Sequence, residues 1–158
     1  MTDIQWVYGI EPESMTPEWR QRIIDLFLSE TQEVYQDSSF INLAIPQWDG
    51  NLMLIDRDTY PKPSCLKGIM WSKPFMEDSV RVVAFVIDKD FQSKGHGGNA
   101  WKFMTKSLKN QGKKYIQLEV KCSNVNAQNF YRVRGMEIIR RIDSYYKTEH
   151  GYMMRGNL

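Results

Sequence analysis

The sequence predicts a mixed α/β domain with one central sheet, its elements ordered β-α-(α)-β-β-β-α-β-α-β-β. Three observations carry that prediction. The most apolar run of the chain, Val82-Val83-Ala84-Phe85-Val86-Ile87, is strand-like and leads through a glycine-rich turn into a helical pattern. Trp19, Ile23, Leu26 and Phe27 recur at the spacing of one helix face. Tyr115–Val120 alternates as a half-buried strand and is followed by a second short helical pattern.

Taken in order, Ile4, Trp6 and Tyr8 alternate with Gln5 and Val7 as a first strand. Thr16-Pro17 supplies an N-cap and a proline at the first helical position, and the helix extends to about Glu33, with Val34 beyond it. Between Tyr35 and Gly50 an apolar patch, Phe40–Ile45, precedes the breakers Pro46 and Asp49-Gly50, which reads as a loop holding at most a short second helix. Leu52–Ile55 is a short strand, and Pro61 and Pro63 mark a turn-rich connection. Leu66–Trp71 and Val80–Ile87 are strands joined across Lys73–Asp78. Asn99–Asn110 is a helix with Ala100, Met104 and Leu108 on one face, ended by Gly112. Asn126–Arg134 is a short helix with Ala127, Phe130 and Tyr131 at i, i+3 and i+4, closed by Gly135. Met136–Ser144 and Tyr152–Arg155 are the last two strands, around a polar hairpin, Tyr145–Gly151.

The 158 residues suffice for one domain. A chain of that size buries roughly 70% of its unfolded surface. A net charge of +2 does not by itself point to nucleic acid. The longest apolar run is six residues, against roughly 20 needed to span a bilayer. No charged-then-apolar leader opens the chain, so a cytoplasmic protein with no membrane partner is expected. Cys65 and Cys122 make neither a disulfide framework nor a metal site, and His96 and His150 are too few and too distant in sequence to argue for zinc. No metal is therefore expected.

The stretch from Phe91 to Ala100, with Gly95, Gly97 and Gly98, lies between the apolar strand and the helix. A strand, a glycine turn and a helix N-terminus make an anion site, because the first amides of a helix lack partners within it and carry its positive dipole end. Neither GxxxxGK[ST] nor GxGxxG is present. The stretch does fit Q/R-x-x-G-x-G/A, with Gln92, Gly95 and Gly97 in place. That is the pyrophosphate loop of the GNAT superfamily of N-acetyltransferases, which this segment resembles. The plainer alternative is a glycine turn that only caps a helix.

A second motif separates the two. Leu118-Glu119-Val120, Ser123-Asn124, Ala127, Phe130-Tyr131 and Gly135 are similar to the GNAT pattern L-x-V, then N-x-x-A-x-x-x-Y-x-x-x-G-F, about 25 residues after the loop. Met136 stands where phenylalanine is usual, and Gln92 where arginine is commoner. The resemblance implies the GNAT fold, a mostly antiparallel sheet of about seven strands flanked by about four helices. It also implies acetyl-CoA as cofactor and an acetyltransferase activity. Within the superfamily, Ser144-Tyr145-Tyr146, the loop to Gly151 and the ending Tyr152–Leu158 look like the protein N-terminal acetyltransferases, as does Glu33-Val34-Tyr35.

The resemblance then assigns roles. Main-chain groups of Val86 and Asp88 pair with pantetheine, and the N–H of Val86 or Ile87 faces the thioester oxygen. Gln92, Ser93, Lys94, Gly95, His96, Gly97 and Gly98 hold the pyrophosphate, and Asn124 touches the pantetheine arm. Tyr131 contacts the sulfur and protonates the leaving thiolate; Glu119, or its rival Glu33, is the base acting through water. Glu33, Tyr35, Tyr145 and Tyr146 line the place of the substrate's first residues, and Arg81 falls where related enzymes carry a histidine near the catalytic water. The substrate implied is a protein or peptide N-terminus, for a monomer or weak oligomer. The alternatives are acetylation of a small amine or a lysine side chain, and a non-catalytic CoA-binding sensor. Lys102, Lys106, Lys109 and Lys113 recur along the helix after the loop, as a solvated face or as a contact to ribosomal RNA or to the CoA 3′-phosphate.

Overall fold

The computed structural model describes residues 3–8, 16–32 and 51–158. Among them lie seven strands and three α-helices: β1 Ile4–Tyr8, α1 Pro17–Thr31, β2 Asn51–Asp56, β3 Leu66–Phe75, β4 Ser79–Ile87, α2 His96–Asn110, β5 Tyr115–Lys121, α3 Val125–Arg132, β6 Glu137–Ile142 and β7 Gly151–Asn157. The strands form one sheet in the order β1-β2-β3-β4-β5-β7-β6. β4 and β5 run parallel, whereas β1–β2, β2–β3, β5–β7 and β6–β7 are antiparallel, so the sheet is mixed and mostly antiparallel. The expected short helix within 35–50, the patch Phe40–Ile45, and the residues Glu33, Val34 and Tyr35 lie outside the described residues.

The backbone divides into two units, residues 1–71 with 84–104, and residues 72–83 with 105–158. In the first, Thr16 Oγ1 accepts the Trp19 amide at 3.3 Å and Pro17 opens α1, as the cap-then-proline pair predicts. The helix stops at Thr31, two residues short of the expected end. Gln32 turns left-handed (φ 59°) while its amide bonds Leu28 O at 3.0 Å, a left-handed helix stop. Trp19, Ile23, Leu26 and Phe27 are buried, and Phe27 meets the Trp71 ring at 6.2 Å. Every residue of β2 is buried, which makes it an interior strand reading as a continuous apolar run rather than an alternation.

In the second unit the parallel pairing of β4 with β5 sets Ser79 opposite Tyr115, Val80 opposite Ile116 and Arg81 opposite Gln117. Ile116, Leu118 and Val120 are buried on β5, with Tyr131 on α3, Met136 and Met154. Asn124 caps α3, its Oδ1 accepting the Ala127 amide at 3.1 Å. Gln128, buried and not singled out by sequence, donates its Nε2 to Lys121 O and Cys122 O, both at 3.0 Å, closing the end of β5.

Several boundaries differ from expectation. β3 continues past Trp71 to Phe75, and the turn tightens to 76–78 with Met76 at φ 59°. α2 starts at His96 rather than Asn99, because Gly95 C=O already accepts the Asn99 amide at 3.1 Å. Two glycines therefore sit inside the first turn, where low propensity had argued for loop. α3 begins at Val125 and ends at Arg132, and β6 spans only Glu137–Ile142.

Candidate active site

The first unit carries the glycine turn. β4 ends at Ile87, a single 3-10 turn follows over Lys89–Phe91, and the chain enters α2 through Gln92–Gly95. Ser93 (φ 60°) and Gly95 (φ 85°) are both left-handed, and that reversal aims the first amides of α2 out of the turn. These belong to His96, Gly97 and Gly98, whose N–H groups have no acceptor within the helix. Trp6 Nε1–H donates to His96 O at 2.9 Å and so ties this first turn to β1. Lys67 Nζ lies 5.3 Å and Lys94 Nζ 5.5 Å from the Phe91 ring centroid, adding positive charge beside the turn. A glycine cradle, a helix N-terminus and flanking lysines fit a pyrophosphate.

Two expectations in this unit change. The Asp88 main chain is engaged within the turn: its N–H donates to Lys67 O at 2.7 Å, which takes that donor away from pantetheine, and its C=O accepts from Phe91 N–H at 2.8 Å. Its carboxylate accepts the Asp90 amide at 3.0 Å and stands 3.5 Å from Arg22 Nη2. Asp88 is thus the corner of the turn. Gln92 does not point its amide at a ligand. Its Nε2 donates to Ile87 O at 2.7 Å and to Glu30 Oε1 at 2.9 Å, closing the turn. Trp6, Glu30 and Lys67 were missed, since they lie far from the motif in sequence and only pairing brings them to it.

The second unit gathers Arg81, Glu119 and Tyr145. Arg81 Nε lies 3.0 Å from Glu119 Oε2, and Arg81 Nη2 donates to the Tyr145 hydroxyl at 2.8 Å. Gln117 Nε2 donates to Glu119 Oε1 at 3.3 Å, and the Glu119 side chain is only 10% exposed. Burial works against the Arg81 charge, but the bond and charge of Glu119 outweigh it and raise the guanidinium pKa. Burial, aided by Glu119, also pushes the Tyr145 phenol up. Tyr131 is buried on α3, and burial pushes its phenol well above its ordinary value, so it keeps its proton.

The hairpin between β6 and β7 is held at several points. The Tyr145 and Tyr146 rings meet edge-on at 4.9 Å, and Lys121 Nζ lies 5.5 Å from the Tyr146 centroid. Ser144 N–H donates to His150 Nδ1 at 2.8 Å, which needs that nitrogen's lone pair. The 3.7 Å approach of Asp143 to the same nitrogen is therefore no ion pair in this tautomer. A Cβ at Gly151 would stand 3.0 Å from Tyr146 Cε2 and 3.2 Å from Tyr145 Cβ. Gly151→Ala is expected to displace both tyrosines, to cost about 1–3 kcal/mol of stability, and to lower activity on peptide more than acetyl-CoA affinity. Thermal melts and separate KM values check this.

Glu149 fastens the hairpin to the residue before Asn124. Its carboxylate accepts the Ser123 amide at 3.0 Å, with Ser123 Oγ 2.7 Å and 2.9 Å from its two oxygens. The backbone bond first, then the hydroxyl, holds Glu149 below its ordinary value. A depressed folded pKa means the latch contributes fully above the ordinary 4.5 and is lost as pH falls through the lowered value. The Ser123 amide resonance is expected to titrate below 4.5; a midpoint at or above it contradicts the latch.

Asn124 Oδ1 accepts the Ala127 amide as the cap of α3. Lys102, Lys106 and Lys109 lie on α2, but Lys113 lies beyond Gly112 (φ 80°) and donates to Glu77 O at 3.2 Å, so it is not part of the helical stripe. Among the described residues no three His, Cys, Asp or Glu side chains gather to hold a metal ion, and no helix is long and apolar enough to cross a membrane.

A strand leading through a glycine turn into a helix N-terminus suits the pyrophosphate of a CoA-type cofactor. Residues 20–136, more than half of the chain, match the Acetyltransferase (GNAT) family, and the chain belongs to that family. It is an acetyl-CoA-dependent acetyltransferase. No curated protein sequence matches it. Among solved structures it is similar to Ard1 from Thermoplasma volcanium (TM-score 0.82, 16% identity, 98% of this chain and 97% of that one). It is also similar to Arabidopsis thaliana Naa50 in complex with the bisubstrate analogue CoA-Ac-MVNAL (TM-score 0.79, 17% identity, 98% of this chain and 99% of that one). A third is the IAA acetyltransferase from Bacillus cereus (TM-score 0.69, 12% identity, 100% of each chain). At these identities the likeness shows the fold and leaves the acetyl acceptor to the site.

Proposed function

We propose that this acetyltransferase acts on the N-terminal α-amino group of proteins or peptides, as a single cytoplasmic domain spanning residues 1–158. The observation that carries the reading is the Glu119 carboxylate, nearly buried, bonded by Arg81 and Gln117 and sharing Arg81 with Tyr145 on the last hairpin. In this reading the amides of His96, Gly97 and Gly98 hold the pyrophosphate, and Val86 and Ile87 align pantetheine and face the thioester oxygen. Glu119 takes the amine proton through a water, and Tyr131 donates one to the leaving thiolate. Tyr145 and Tyr146 clamp the first residues of the peptide. Bound acetyl-CoA supplies the activated acetyl group. Naa50, which shares the fold, was solved with a peptide bisubstrate analogue, and the proposal takes a peptide acceptor for this chain as well.

The test is transfer of acetyl from acetyl-CoA to a peptide library with free N-termini, to the same peptides with blocked N-termini, and to small amines. Free N-termini are expected to be the acceptors. Faster transfer to small amines or to blocked peptides bearing lysine contradicts the proposal.

A further inference from the structure

We infer that Arg81 is a positioning residue, which fixes the base and the substrate clamp as one unit through a single guanidinium. The inference rests on the reading of Glu119 as base. The parallel register places Arg81 opposite Gln117, two residues before Glu119, which sets Glu119 within reach of the arginine fork. Nε takes Glu119 at 3.0 Å, while Nη2 takes the Tyr145 hydroxyl at 2.8 Å. Because the phenol oxygen accepts from Arg81, the phenol proton points away from that bond. Gln117 holds the other carboxylate oxygen from the same strand. A free glutamate side chain samples several rotamers, and this arrangement selects one.

The planar fork is what the arrangement needs. Lysine at 81 keeps the charge but offers one compact ammonium, which cannot bond both partners in fixed directions. The titratable and charged groups facing Glu119 among the described residues are Arg81 from β4 and Tyr145 from the hairpin. Gln117 precedes it on β5 and Met153 stands opposite on β7.

The experiment compares full-length wild type, Arg81→Gln, Arg81→Lys, Tyr145→Phe and Glu119→Gln on a free peptide. Arg81→Gln is expected to lose about a hundredfold in kcat, the scale of a misplaced catalytic group, with acetyl-CoA KM unchanged. Arg81→Lys also loses kcat, with acetyl-CoA KM again unchanged. Adding Tyr145→Phe to Arg81→Lys costs less than the product of the single effects. Wild-type kcat in folded Arg81→Gln, alongside an inactive Glu119→Gln, overturns the role of Arg81 and spares the base. Full activity in Glu119→Gln overturns both. Should Arg81→Gln fail to fold, full coupling-free additivity of Arg81→Lys with Tyr145→Phe overturns the inference.

Discussion

A folded Gly97→Glu variant is expected to lose acetyl-CoA affinity by on the order of a thousandfold. Gly97 lies in the first turn of α2, where amides have no acceptor within the helix and the dipole favours negative charge. An acidic residue there suits the helix itself, so folding is not the casualty. The carboxylate instead competes for the space and the field that a pyrophosphate needs. Two unit charges about 4 Å apart interact by about 4 kcal/mol at an effective dielectric of about 20, about three decades in affinity. Calorimetry with CoA reads the effect, and unchanged affinity in a folded variant contradicts the assignment of the turn.

Tyr131→Phe is expected to lower kcat by about 10²–10⁴ while acetyl-CoA KM moves by no more than a few fold. The ring stays in place, edge-on to Phe130 at 5.4 Å within α3, so packing survives. What goes is a phenol that burial keeps protonated, the state a general acid must occupy before the thiolate leaves. Losing one buried hydroxyl costs about 1 kcal/mol of stability, which a melt separates from the kinetic loss. Unchanged kcat removes Tyr131 from the role of acid.

The turn and the second motif were legible because their chemistry is local. Gly95 needs φ 85° at a fixed offset from Gln92, and Asn124 and Tyr131 keep their spacing on one short helix. Thr16 and Pro17 announced α1 for the same reason. What stayed hidden depends on pairing. The resemblance sets Arg81 near the catalytic water, but only the parallel register with β5 reveals Glu119 as its partner. Trp6 reaches His96 across 90 residues, which no spacing rule reports. Asp88 looked like a strand end because its two main-chain bonds, to Lys67 and Phe91, are invisible in sequence. Lys113 seemed to continue a helical stripe until Gly112 turned the chain away. Glu33 and Tyr35, the rival base and its neighbour, lie outside the described residues, so Glu119 carries the mechanism proposed here.

The acceptor is the central claim, and one competition tests it most directly. A single peptide carrying a free N-terminus and an internal lysine is acetylated with limiting acetyl-CoA at pH 7, and tandem mass spectrometry locates the acetyl group. An α-amine has a pKa near about 7.7–8.0 against about 10.4 for lysine, so its neutral fraction is larger by roughly two and a half decades. A carboxylate already bonded by Arg81 and Gln117, acting through water, suits an amine that is readily neutral. The account predicts acetyl on the α-nitrogen in excess of the lysine by at least roughly a hundredfold. Comparable acetylation of the two nitrogens, or a preference for lysine, contradicts it.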